Sequence, residues 1–226
     1  MVLMIAKPAK TRTQYPKSVK DPRSFSMLKK GSNNKKLGYK ITAKKWKGKR
    51  LYSLTLEERT TCPTSCHHWD DCYGNNMPFA HRFDTKNEYV VFLPKLRAEV
   101  QALCAKHPEG VVIRLHVLGD FFSVNYVHFW ERMLIENPGL AVFGYTAREP
   151  HTDIGAAIQS LNKKKDGRFQ VRQSRNKERD ADGFYAADES FEGECFDCPE
   201  QKGLLPDCAS CGACWMTTKT VRFKTH

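Results

Sequence analysis

The sequence predicts an α/β fold: a partial (half) β/α barrel or open parallel sheet, with a basic N-terminal arm and a cysteine-rich C-terminal metal-binding segment. Three observations carry that expectation. Apolar runs of strand length alternate with helical patterns between residues 51 and 174. Those runs empty into short polar stretches, as strands do at the mouth of a parallel sheet. Eight of the nine cysteines stand in two tight groups.

Taken in order, residues 1–50 hold sixteen Lys or Arg against one acid, Asp21, so the whole excess of the net +12 charge lies there. Pro8, Pro16, Pro22, Gly31 and Ser32 interrupt this stretch, and residues 1–36 are expected as a flexible arm. Such an arm suits phosphate contacts on a nucleic acid, with a solvated tail as the plain alternative. Tyr39, Trp46 and Tyr52 among the lysines would allow base stacking. The alternating pattern there equally describes a β-hairpin turning at Gly48, which is the reading taken.

Leu51 to Leu56 is the first strand, and it opens into a loop holding Cys62, Cys66 and Cys72. Tyr89 to Leu93 reads as a short strand or extended piece. Pro94 then suits the first turn of a helix whose buried face is Leu96, Val100, Leu103 and Cys104, the last a core thiol. Val111 to Leu118 is the second strand, ending in Gly119-Asp120, with His116 a core histidine. Ser123 caps a helix with Tyr126, Phe129, Trp130, Met133 and Leu134 along one stripe. Leu140 to Thr146 is the third strand, followed by Arg148. Thr152 caps a helix burying Ile154, Ala157, Ile158 and Leu161, and Phe169 to Ser174 is the fourth strand. Residues 37–190 are thus expected as the β/α domain and 191–226 as the metal-binding segment.

No stretch approaches the roughly eighteen apolar residues of a membrane span, and the opening is too short for a signal peptide. Nine cysteines without a secretory signal point to a reducing, cytoplasmic setting and no membrane partner. A Gly-rich phosphate fingerprint is missing, which speaks against Rossmann and P-loop nucleotide binding.

Three thiols on one polar loop imply a bound metal, because soft thiolates select iron–sulfur clusters, zinc or copper. His68 would complete a Cys3His zinc set. Three cysteines alone suit a [4Fe–4S] cluster with one iron open to a small molecule, and the place at a strand mouth favours the cluster. The other strand ends share that rim. Asp120 could accept hydrogen bonds from an ammonium or cap a helix; Arg148 could clamp a carboxylate or phosphate, or form a surface salt bridge. Gln173 and Ser174 end the fourth strand on the same side.

The second group is Cys195-x2-Cys198-Pro199 followed by Cys208-x2-Cys211-x2-Cys214. It spells either a small zinc site or a ferredoxin-type cluster on Cys198, Cys208, Cys211 and Cys214, with Cys195 spare. The close triple favours the cluster, with zinc as the alternative. Either metal would fix a segment too short to build its own core.

CPTSCHHWDDCYG, RLHVLGDFFSVNYVHFW, AVFGYTAR and CASCGACW together resemble the phage "gene product 88" domain family over about residues 37–215. That resemblance implies a phage protein working in the host cytoplasm. The layout is also similar to radical S-adenosylmethionine enzymes, in which a three-cysteine loop follows the first strand of a partial barrel. This likeness implies S-adenosylmethionine as a second cofactor, held at the open iron, and an electron donor as partner. It places Gly119 and Asp120 where those enzymes grip the ammonium, and Ser174 where they meet the ribose. The contrasting expectation is a non-catalytic, zinc-stapled binding module for a nucleic acid or a host protein.

Overall fold

The computed structural model describes residues 12–164, 166–174 and 184–224. Along the chain come β1 (Val19–Lys20), β2 (Lys29–Lys30), β3 (Arg50–Leu54), the helical turn α1 (Glu58–Thr61) and β4 (Arg82–Phe83). Next are α2 (Leu93–Lys106), β5 (Val111–Leu115), α3 (Val124–Glu136), β6 (Leu140–Thr146), α4 (Asp153–Lys164) and β7 (Phe169–Ser174). Strands β8 (Tyr185–Ala187) and β9 (Cys195–Asp197), turns α5 (Cys208–Cys211) and α6 (Ala213–Met216), and β10 (Thr220–Arg222) follow.

Eight strands form one sheet in the order β2-β3-β5-β6-β7-β8-β10-β9, and β1 pairs with β4 separately. Only β2 is antiparallel to its neighbour. The sheet stays open, with β2 and β9 as its edges, and does not close into a barrel.

Period-two alternation divides the central strands between two cores. Val111, Ile113, Leu115 and Val142 pack with Leu96 and Val100 of α2, Trp130 and Leu134 of α3, and Ile158 and Leu161 of α4. Val112, Ala141 and Phe143 point the other way, toward Ile41, Trp215 and Val221. Helices therefore cover one face, and the cysteine-rich C-terminal segment covers the other. Both predicted caps form: Ser123 Oγ accepts from Tyr126 N at 3.0 Å and Thr152 Oγ1 from Gly155 N at 3.1 Å. His116 is 4% exposed, with Nε2 2.9 Å from the Tyr126 hydroxyl. Burial pushes its pKa down to about 3, so it is a neutral core residue.

Several expectations change. Tyr89 to Leu93 is not a strand. Glu88–Phe92 is a π-helical turn running straight into α2, with Val91 N and Phe92 N both donating to Asn87 O. Phe92 is fully buried while Tyr89 and Val90 are exposed, so one side of the turn is buried and no sheet alternation exists. The expected hairpin is irregular: Lys40 bridges Arg50 in antiparallel fashion, Ile41 N donates to Lys49 O, and Gly48 turns at φ +92°. Its aromatics face inward. Tyr52 is 3% exposed with its hydroxyl 2.9 Å from His107 Nε2, and Trp46 stacks on Trp215 at 5.3 Å.

Of the arm expected over 1–36, residues 1–11 lie outside the described residues. Residues 12–36 are docked: Met27 and Leu28 are buried, and the Glu99 carboxylate accepts from both their backbone N–H groups. No helix among the described residues is long and apolar enough to cross a membrane.

Candidate metal centres at the strand mouths

Strand β3 delivers the chain into α1, and Cys62 closes that turn by donating its N–H to Glu58 O at 3.0 Å. The loop then runs through Cys66 and Cys72 to Gly74, over buried charges. Arg82, with no exposed surface, donates Nε to Glu58 Oε2 at 2.8 Å and Nη2 to Gly74 O at 2.8 Å. Its Nη1 meets Ser18 Oγ and Met77 O, both at 2.9 Å. A buried ion pair holds only when its remaining donors are satisfied, as they are here. Arg59 lies 4.8 Å over the Trp69 ring and donates to Trp69 O and Asn75 Oδ1. The sequence reading passed over Glu58, Arg59 and Arg82; charged residues beside a polar loop give no signal that they turn inward.

The neighbouring strand ends meet this loop from below. Gly119 has φ +88°, and a Cβ there would fall 2.6 Å from Leu56 Cβ and 2.7 Å from Thr61 Oγ1. Only glycine lets the chain leave β5 so close to the loop. Asp120 is 3% exposed, and its N–H donates to Thr61 Oγ1 at 3.2 Å. Its carboxylate accepts from Phe121 N, Thr146 Oγ1 and Ala147 N, each at 2.7 Å. Burial raises its pKa to about 6 even against those donors. Arg148 donates Nε to Phe121 O at 2.7 Å and Nη2 to Thr61 O at 2.6 Å. Asp120 and Arg148 therefore lace the ends of β5 and β6 to the residue just before Cys62. Gln173 donates to Arg148 O at 3.3 Å, and half-buried Ser174 pairs with Ala186 at the end of β7.

Cys62, Cys66 and Cys72 lie within electrostatic reach of one another, and Asp120 reaches Cys62 and Cys66. Burial pushes all three thiols up, Cys62 furthest. A thiol so placed stays protonated and inert unless a cation replaces its proton. Backbone N–H groups of His68 and Gly74 already point at Cys66 and Cys72. His68 does not turn toward the sulfurs. Its Nδ1 is 3.3 Å from Asp71 Oδ1 and its Nε2 3.8 Å from Asp188 Oδ2.

In the second group Cys198, Cys208, Cys211 and Cys214 are gathered, with Cys198 within electrostatic reach of the other three. Cys195 stands on β9 near Arg222 instead. The backbone N–H groups of Glu200 and Gln201 point at Cys198, and that of Ala213 at Cys211. Tyr145 donates its hydroxyl to Cys214 Sγ at 2.7 Å, and burial raises the Cys214 thiol to about 11. Arg114, 4.5 Å over the Tyr145 ring, lies within electrostatic reach of Cys208 and Cys214 and of Tyr73 next to Cys72. Its Nη1 is buried with no partner among the described residues. A guanidinium with one unsatisfied N–H group beside buried thiols fits a group that carries negative charge once the thiols ionise.

All nine thiols are free. In neither group do three sulfurs lie within 4.8 Å of one another. Four thiolates on one zinc ion, bonded at about 2.3 Å, would stand about 3.8 Å apart.

An open, mostly parallel α/β sheet with one thiol group at its strand mouths and another set into the face opposite α2, α3 and α4 defines a cysteine-rich α/β protein. The chain belongs to the Gene product 88 family, whose model matches residues 26–217. No curated protein and no solved structure matches it.

Proposed function

We propose that this protein is an iron–sulfur enzyme of the radical S-adenosylmethionine type. Cys62, Cys66 and Cys72 would hold a [4Fe–4S] cluster with one iron open, and Cys198, Cys208, Cys211 and Cys214 a second metal group. The observation that carries this reading is a loop of three thiols within electrostatic reach of one another, with the His68 Nδ1 on that loop facing Asp71 instead of the sulfurs. The wide sulfur spacing and the N–H groups aimed at Cys66 and Cys72 support a cage over a single ion. Strands β3, β5, β6 and β7 are neighbours in sequence order with helices on one face, an order that supports the reading even though the sheet stays open.

When bound, an open-site cluster supplies one electron to S-adenosylmethionine for its reductive cleavage. The chain's own residues do the rest. An ionised carboxylate offers about four acceptor positions, so Asp120, with three donors on it, would keep one for the cofactor's ammonium. Gly119 leaves room for the loop, and Ser174 stands at the β7 end for a ribose hydroxyl. Arg148 is a positioning residue that acts through Thr61 on Cys62.

The test is protein purified without oxygen. The expected sample is brown, contains iron and acid-labile sulfide, and cleaves S-adenosylmethionine after reduction. Cys66→Ala abolishes cleavage and leaves the metal of the C-terminal group in place. A colourless chain with two zinc ions and no sulfide overturns the proposal and leaves the zinc-stapled binding module.

A further inference from the structure

A third set of metal-binding side chains lies outside both thiol groups. His67 and His68 belong to the first cysteine loop, and Asp188 follows β8. The two imidazoles are neighbours, with ring centroids 4.1 Å apart, and both aim Nε2 at one carboxylate oxygen. His67 Nε2 lies 3.6 Å and His68 Nε2 3.8 Å from Asp188 Oδ2. These distances are too long for good hydrogen bonds. They are close to the spacing of donors around one ion: metal–nitrogen and metal–oxygen bonds of about 2.1 Å put tetrahedral ligands about 3.4 Å apart. Among the described residues this is the only group of three such donors within 4.8 Å of one another.

The surroundings of the three donors give independent support. Metal-bound histidines commonly donate their other ring nitrogen to a carboxylate, which fixes the tautomer and leaves the ligating nitrogen unprotonated. His68 Nδ1 faces Asp71 Oδ1 at 3.3 Å in that arrangement. Ligating carboxylates are themselves held by hydrogen bonds. Asp188 Oδ1 accepts from Ser190 N at 2.9 Å and from Ser190 Oγ, which turns Oδ2 toward the imidazoles.

We propose that His67 Nε2, His68 Nε2 and Asp188 Oδ2 form a binding site for one divalent transition-metal ion, with zinc as the ion of best fit. Two nitrogens and one carboxylate oxygen suit a borderline cation, and three protein ligands leave a coordination position open. The ion clips the cysteine loop to the chain leaving β8. The site does not depend on what the thiols hold.

The experiment uses the full chain, purified without oxygen and dialysed against zinc alone, with zinc, iron and sulfide counted. Wild type holds one zinc per chain more than Asp188→Asn or His67→Gln, while iron and sulfide are equal in all three. The Asp188→Asn carbonyl can still accept from Ser190, so this variant is expected to fold. Asp71→Asn keeps the site but weakens zinc binding about 10- to 100-fold. Equal zinc in wild type and both ligand variants overturns the proposal. So does a sulfur-to-cobalt charge-transfer band, after cobalt replaces zinc, that Asp188→Asn removes, because the thiols would then hold the ion. Lack of sulfide would sink the cluster reading and leave the zinc difference untouched.

Discussion

Cys62, Cys66 and Cys72 stand on a polar loop braced by Arg59, Arg82 and Arg148, whereas Cys198 and Cys214 are set into the apolar face of the sheet beside Trp215 and Phe143. The first group is positioned by hydrogen bonds to charged side chains that belong to other parts of the fold. The second is part of a core: Trp215 is 1% exposed and its ring centroid lies 4.6 Å from that of Phe143. A group held by directional polar contacts can lose a thiol while the body around it stays folded. A group that is itself packing cannot. Under the proposed reading, the difference suits chemistry at the first group and stapling at the second.

That contrast can be broken most directly by exchanging one thiol in each group. Cys198→Ala is expected to destabilise the chain by more than about 4 kcal/mol, since it removes the shared neighbour of three other thiols and with it the staple. Cys66→Ala should cost less than about 1 kcal/mol. Urea unfolding of anaerobic samples measures both, and similar losses would erase the distinction.

Trp215→Ala comes next, at about 3–5 kcal/mol, because a fully buried indole leaves a cavity against Trp46 and Phe143. Any metal proposed for the first group should be retained. Loss of metal at both groups would show that they share one support.

Arg148→Ala leaves the Phe121 and Thr61 carbonyls without their charged donor and is expected to cost about 2–3 kcal/mol. Metal retention at the first group should fall with it, and Arg148→Lys should not restore it, because a single ammonium cannot reproduce the guanidinium fork. Full retention in both variants would remove Arg148 from the site.

A further effect is one of pH. The folded-state pKa of Asp120, about 6, lies above the unfolded value of about 3.9. The unfolded chain therefore loses its proton first, and stability falls as pH rises between about 4 and 6, then levels. Asp120→Asn should flatten that part of the stability curve, whatever it does to the absolute value. An unchanged slope would mean that the three donors outweigh burial.

Legibility in the sequence followed how local each cause was. β6 occupies the expected residues because an apolar run buried on both faces needs no partner to be recognised, and β7 because Phe169 and Val171 alternate with polar residues. Ser123 and Thr152 cap helices by contacts within three residues. In contrast, β2 is two lysines, with no strand signature. It exists because β3 offers Tyr52 and Ser53 as partners and Glu99 ties down the residues before it. Tyr89 to Leu93 misled because its composition suits a strand while its neighbour, Pro94, starts a helix that the π-turn extends.

The alternation of strand and helix, the two clusters of thiols and the glycine that lets β5 end beneath a loop can all be read from the residues alone. Spacing and side-chain type suffice for those, because each depends on residues close in the chain. The buried pair of Arg82 and Glu58, and the meeting of His67 and His68 with Asp188, come from tertiary structure. Such meetings join residues far apart in sequence. They are fixed by which strands pair and which side of the sheet each segment covers, and no local pattern encodes that.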